Sequence, residues 1–299
     1  MIRLYEAAVA MNILRSIFIS AYSSYLAATF IYTLLQLFRG MEPFFSWLGL
    51  AFSAGAPLSF LAYLYLSGAA RTARHPVAVS VLCGLGVAMT MASNWRYGTT
   101  SGMVHIWAGL CLLAWFTYLQ WYSRFTRRNS KSLLRGIELP EFMLESLQGE
   151  PVSSRTFRGK YHVLVFYRGN WCPLCSAQIS ELAAQYRQLQ EANTEVVLIS
   201  SQPPGHSSKL AQKHEAPMQF MHDPGNTAAN QLGIGQRFGT PMGLQALGYS
   251  NDTVMPTVII TDPEGTIIFV DETDNYRVRP EPDLFLQYVN KQHQQINST

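Results

Sequence analysis

Four stretches of this chain, 16–38, 43–70, 76–95 and 97–123, contain no Asp, Glu, Lys or Arg. Crossing roughly 30 Å of hydrocarbon takes about 20 mostly apolar residues in a helix, and each stretch is long enough. Pro43 and Pro76 stand near two of the starts, where a missing N–H costs little. The charge contrast along the chain is strong. Residues 1–122 carry six Lys or Arg and two Asp or Glu, whereas 123–299 carry sixteen and seventeen. A single globular domain and a disordered chain are both excluded. The net charge of +3 is +4 on the first part and −1 on the second, so the second offers no basic surface and nucleic acid is excluded as a partner.

The expected organisation is a four-helix transmembrane region over 1–123, a basic linker over 124–135 and an α/β domain over 136–299. The apolar run of 16–38 is too long for a cleavable signal peptide and no small-residue cleavage site follows it. Basic residues in short loops orient such a bundle. With the N-terminus inside, Arg3, Arg15, Arg71, Arg74, Arg124, Arg127, Arg128, Lys131 and Arg135 lie on the inner side, and only Arg39 and Arg96 outside. The expectation is a multi-pass plasma (inner) membrane protein with the lipid bilayer as partner and its C-terminal domain on the cytoplasmic side. Trp47, Trp95, Trp107, Trp115 and Trp121 read mainly as interface anchors. Gly84, Gly86 and Ala88, with Ala51, Ala54, Gly55 and Ala56, suit close helix packing. Cys83, Cys111 and His105 within the spans suggest either a redox relay or plain packing. Packing is the simpler role for a free cysteine.

After the linker the hydrophobic period changes from helical to alternating. A hairpin is expected around Gln148-Gly149-Glu150, core strands at 161–167 and 195–200, and helices over 179–189 and 209–214. A strand at 218–222 precedes a turn and short helix, and a hairpin around Asp262-Pro263-Glu264-Gly265 precedes a closing helix over 281–294. This order describes a thioredoxin-like α/β fold. The Gly-rich segment 233–253 interrupts it and is expected to form a loop or short helices near the active site.

The chemistry concentrates in Phe166-Tyr-Arg-Gly-Asn-Trp-Cys-Pro-Leu-Cys175. Cys172 and Cys175 stand where a buried strand hands over to a helix. Unpaired N–H groups and the helix dipole there favour thiolate over thiol. Two cysteines separated by two residues can close a disulfide across the first turn. Pro173 stiffens that turn, and Trp171 and Arg168 flank it as supporting or substrate-binding residues. A structural zinc site needs two more ligands, and His162, His206, His214, His222 and His293 supply no evident pair. Met255-Pro256 opens a later strand and suggests a cis peptide bond packed beside the disulfide.

The strings GIELPEFMLESLQGEPVSSRTFRGKYHVLVFYRGNWCPLCSAQISEL, FMHDPGNTAANQLGI and MPTVIITDPEGTIIFVDETDNYRVRPEP resemble the alkyl hydroperoxide reductase/thiol-specific antioxidant (peroxiredoxin-like redoxin) family. The resemblance covers about 136–297 and implies a thioredoxin fold. By position it puts Cys175 where such proteins carry the peroxidatic cysteine, Cys172 in place of a catalytic threonine, and Arg168 in place of a proline. Met255 takes the place of an arginine, so the peroxidase apparatus is expected to be incomplete. Two schemes stay open. Cys172 attacks as an exposed thioredoxin-type nucleophile and Cys175 resolves, or Cys175 becomes the sulfenic acid and Cys172 resolves it. The implied substrates are a hydroperoxide or a disulfide-bearing protein. The implied electron source is a thioredoxin-like dithiol donor, with no cofactor beyond the redox-active disulfide. A membrane scaffold with a non-catalytic redoxin domain is the third reading.

Overall fold

A computed structural model describes residues 2–98, 102–125, 132–214 and 216–297. Arg127, Arg128 and Lys131 of the basic linker lie outside the described residues. The chain divides into two compact units, one of Ile17–Ser67 and Thr72–Arg124, the other of Phe125–Thr299 with Met1–Ser16 and Gly68–Arg71.

The N-terminal region is helical: α1 Ile2–Phe38, α2 Phe44–Leu66, α3 Val77–Tyr97 and α4 Gly102–Thr117, the last widening into a π-helical stretch Tyr118–Tyr122. Within them, Glu6–Phe38, Phe44–Leu66, Val77–Tyr97 and Met103–Tyr122 are long and apolar enough to cross a membrane. Helix α1 starts well before the uncharged stretch, because Arg3, Glu6 and Arg15 are good helix formers and no Gly or Pro interrupts them. It ends at Arg39-Gly40, where Gly40 takes φ +67°, a left-handed conformation that glycine adopts without strain. Pro43 and Pro76 precede the first turns of α2 and α3.

The small residues do bring α2 and α3 together, at two positions above all. A Cβ on Gly86 would stand 2.4 Å from the Gly49 carbonyl oxygen, and one on Gly49 would stand 2.6 Å from that of Gly86. Gly84, by contrast, faces open space. The tryptophans divide. Trp95 is 93% exposed, as an interface anchor would be, but Trp47 and Trp115 belong to the core. Trp115 is held there by edge contact with Phe60 at 5.3 Å, stacking on Tyr118 at 5.6 Å, and a hydrogen bond from its Nε1 to Ser80 Oγ at 3.0 Å. The indole N–H finds a partner, so burying the ring leaves no donor unmet.

The second unit is a thioredoxin-like domain built on a seven-stranded sheet. Its elements run β1 Met143–Ser146, β2 Pro151–Ser153, β3 Tyr161–Phe166, α5 Pro173–Glu191, β4 Thr194–Ser200, α6 Pro204–Lys213, β5 Gln219–His222, α7 Thr227–Gln231, β6 Gly235–Gln236, β7 Thr253–Val254, β8 Thr257–Thr261, β9 Ile267–Asp271 and α8 Pro282–Asn297. The strand order is β2-β1-β5-β4-β3-β8-β9, with β3, β4 and β5 parallel and β8 antiparallel to β3. Strand β3 is central and buried along its whole length. Leu164 and Phe166 join Val197, Ile199 and Ile259 in the core, while Val163 and Val165, on the opposite face, are equally buried. A strand covered on both faces reads as an unbroken apolar run, as YHVLVF does. The segment 233–253 holds a short 3-10 turn, Leu244–Leu247, and also a two-stranded ribbon of β6 and β7. Two-residue strands are too short for alternation to reveal them.

Candidate active site

Strand β3 delivers the chain into a tight loop, Tyr167 to Cys172, before α5 begins. Gly169 takes φ +140°, where a side chain would also collide with the Trp171 ring at 2.8 Å. Gln202 fixes the loop from the end of β4. Its Oε1 accepts from Asn170 N at 2.8 Å, and its Nε2 donates to Tyr167 Oη at 3.0 Å and Ser207 Oγ at 2.9 Å. From the other side Asn170 Oδ1 accepts a hydrogen bond from Tyr249, whose ring stacks on His206 at 4.7 Å. Segment 233–253 therefore does touch the loop that leads to the cysteines.

Cys172 is the N-cap of α5 and Pro173 its first residue. The Cys172 carbonyl accepts from Cys175 N at 3.0 Å and Ser176 N at 3.1 Å, which seats Cys175 in the first helical turn. Both cysteines are free thiols, and both are buried, Cys172 2% exposed and Cys175 fully enclosed. The expectation of an exposed Cys172 is thus corrected: the loop folds over it, with Trp171 taking the outer position.

Met255 does stand where the resemblance places an arginine, but a guanidinium reaches the sulfurs from a different part of the chain. Between β9 and α8, Asn275 shapes a turn by accepting from Arg277 N at 3.0 Å through its side chain and from Val278 N at 2.9 Å through its carbonyl. The turn directs Arg279 inward, 5% exposed. Its Nε donates to Tyr276 O at 3.0 Å and its Nη1 to Gln178 Oε1 at 3.0 Å. Its Nη2 reaches Cys175 Sγ at 3.4 Å and Cys172 Sγ at 3.8 Å. Gln178 lies one turn after Cys175 on α5, so the helix aligns acceptor and sulfur for one arginine.

Arg168 is also buried beside the cysteines. Its guanidinium lies 4.7 Å over the Trp171 ring and donates to Gly239 O, while its carbonyl accepts from Thr253 Oγ1 at 3.0 Å. Burial opposes charge on Cys175. The hydrogen bond from Cys172, the Arg279 charge, the Arg168 N–H and the Arg168 charge together outweigh it, and Cys175 is held well below the usual thiol range. The same hydrogen bond, given by Cys172, and burial push Cys172 well above that range. The hydrogen bond between the two sulfurs thus favours the charged form on Cys175 and the neutral form on Cys172.

Met255 and Pro256 open β8, whose pairing of Thr257 with Phe166 brings them alongside the exit of β3. The Met255–Pro256 bond is trans, against the sequence expectation. Met255 N donates to Ile234 O at 2.8 Å as a continuation of the β6–β7 ribbon, so the backbone arrives extended and keeps the less costly isomer. Sequence reasoning missed Arg279, Gln178 and Gln202. One signal was available for Arg279: it precedes the start of α8, where a helix dipole disfavours a cation, so some other group had to hold it.

The AhpC/TSA family model matches residues 136–270. The chain is 30% identical over 135 residues to peroxiredoxin Q, chloroplastic, of Sedum lineare, covering 44% of this chain and 73% of that protein. It is 31% identical over 112 residues to peroxiredoxin Q, chloroplastic, of Gentiana triflora, where the match spans 37% of this chain and about half, 52%, of the relative. A solved structure, peroxidoxin BcpB from Mycobacterium tuberculosis, aligns at TM-score 0.44 and 19% identity over 52% of this chain and 96% of that one.

Proposed function

The chain belongs to the AhpC/TSA family, and from that premise we propose that it is a membrane-anchored, thiol-dependent hydroperoxide reductase working through a Cys172/Cys175 dithiol–disulfide cycle. Cys175 is the attacking group. The single observation that carries this assignment is the buried hydrogen bond from Arg279 Nη2 to Cys175 Sγ at 3.4 Å.

The Cys175 thiolate attacks one peroxide oxygen, the O–O bond breaks, and the departing alkoxide takes a proton to leave as alcohol or water. Arg279, already aimed at the sulfur, stabilises the charge as it passes from sulfur to oxygen. Cys175 is then a sulfenic acid. Cys172, beside it and still protonated, loses its proton as its sulfur attacks, and water leaves as the disulfide closes. A dithiol donor of the thioredoxin-like class restores the thiols, so no cofactor is required. The four apolar helices anchor the domain in a bilayer, and the bias of basic residues favours the cytoplasmic face of the inner membrane. Protease accessibility in right-side-out and inverted vesicles tests the face.

The catalytic assignment is tested on the full-length protein in detergent with a hydroperoxide and dithiothreitol. Cys175→Ser should lose turnover by at least about a thousandfold. Cys172→Ser should still perform one oxidation, leaving a sulfenic acid that dimedone labels on Cys175. Labelling on Cys172 in the Cys175→Ser protein instead would reverse the roles and favour the thioredoxin-type scheme.

A further inference from the structure

Residues Gly68–Arg71, between α2 and α3, belong to the same compact unit as the thioredoxin-like domain. Arg71 spends all three nitrogens of its side chain there. Its Nε donates to Arg279 O at 3.3 Å. Its Nη1 donates to Glu181 Oε1 at 3.2 Å and pairs with Glu281 at 3.6 Å. Its Nη2 donates to Glu181 Oε2 and to Pro280 O at 3.5 Å.

The carbonyls that Arg71 holds belong to the main chain from which Arg279 points at the sulfurs. The two arginines therefore join the same two elements. Arg279 reaches α5 through Gln178 and Cys175, and Arg71 ties the Arg279 carbonyl to α5 through Glu181. Gln178 and Glu181 stand three apart on α5, as neighbours on its surface. Pro280 has no N–H to give, so this part of the connection between β9 and α8 is fastened by its carbonyls, two consecutive ones of which go to Arg71. A planar guanidinium can hold a carboxylate and two carbonyls at once, which an ammonium cannot.

Resting on the reading that Cys175 attacks with Arg279 beside it, we propose that Arg71 is a positioning residue for that reaction. It fixes the main chain of Arg279 against α5 and so keeps the guanidinium on Cys175. The hydrogen bond to the sulfur needs its donor aimed, and such bonds weaken steeply with misalignment. A drift of the turn by about 1 Å is enough to lose it. The cations that act most on Cys175 are Arg279 and Arg168, so Arg71 bears on the sulfur through Arg279. Cys172 and Tyr167 also face Cys175, and Asp271 acts on Arg279 through space.

The test uses the full-length protein in detergent. Alkylation of Cys175 by iodoacetamide, located by mass, is followed from about pH 4 to 9. In Arg71→Gln the midpoint should rise by at least about half a pH unit, so that alkylation below it slows about threefold. Arg71→Lys keeps the charge and loses the fork, and should keep most of that shift. Glu181→Gln should shift the midpoint the same way by less. The double variant should shift it no further than Arg71→Gln alone, because the pair acts as one unit. An unmoved profile in Arg71→Gln, even with a lowered thermal midpoint, makes Arg71 a mere tether and overturns the proposal. Full recovery in Arg71→Lys overturns it too, since charge alone would then suffice. If Arg71→Gln does not fold, an unmoved profile in Glu181→Gln has the same force. A native protein whose Cys175 ionises only in the ordinary thiol range is a separate result, which defeats the catalytic reading beneath.

Discussion

The chain holds two pairs of cysteines, and burial does not distinguish them. Cys83 and Cys111, on α3 and α4, are as enclosed as Cys172 and Cys175. What differs is the charge brought to each sulfur. Cys83 donates to the Ser53 carbonyl at 3.3 Å, within the stretch 76–95, which holds no lysine or arginine. Cys175 accepts from a guanidinium at 3.4 Å and sits in the first turn of a helix. A thiol that can only donate to a carbonyl packs like a small apolar group. One that receives charged donors becomes a nucleophile. On the proposed function, reactivity is decided by which groups donate to sulfur, and depth plays little part.

The sharpest way to break that contrast is to remove the donor. Arg279→Met should slow hydroperoxide reduction at pH 7 by about a hundredfold, the scale of losing one preorganised donor. The same variant should alter pH dependence in a definite sense. In the native protein, alkylation of Cys175 by iodoacetamide should be level from about pH 7 to 9 and fall only as pH drops through its lowered pKa. In the variant that fall should begin at a higher pH, and an unmoved profile would show that Arg279 does not hold the thiolate.

A smaller effect is expected where the helical unit depends on contact instead of charge. Gly86→Ala forces a methyl group to within 2.4 Å of the Gly49 carbonyl, so α2 and α3 must separate. Loss of about 1–3 kcal/mol should appear as a lowered thermal midpoint in detergent. Gly84→Ala, facing open space, is the control and should leave that midpoint in place. The least effect belongs to Cys83→Ser and Cys111→Ser, which should keep hydroperoxide turnover within about twofold of the native rate. A large loss in either would restore the redox-relay reading of the membrane cysteines.

Much of this was legible in the residues. Uncharged runs announce long apolar helices because no other local structure satisfies the backbone in hydrocarbon. The apolar run at 161–167 and the hairpin around 262–265 follow from periods that any pleated strand imposes. The Cys-Pro-Leu-Cys motif also carried its own location at a helix start. Trp115 was misread because composition marks a tryptophan as amphipathic without saying which neighbours surround it. Phe60 and Tyr118, distant or on the same helix, turned it inward.

By itself, then, the sequence determined the two-part plan, the order of the main strands and helices, and the place of the Cys-Pro-Leu-Cys motif where a strand hands over to a helix. Each rests on neighbours a few residues apart. Only the tertiary structure brought a guanidinium to Cys175, because Arg279 meets it from 104 positions away through a turn at Asn275. Electrostatic influence acts through space, and no local period encodes which distant side chain the fold will deliver.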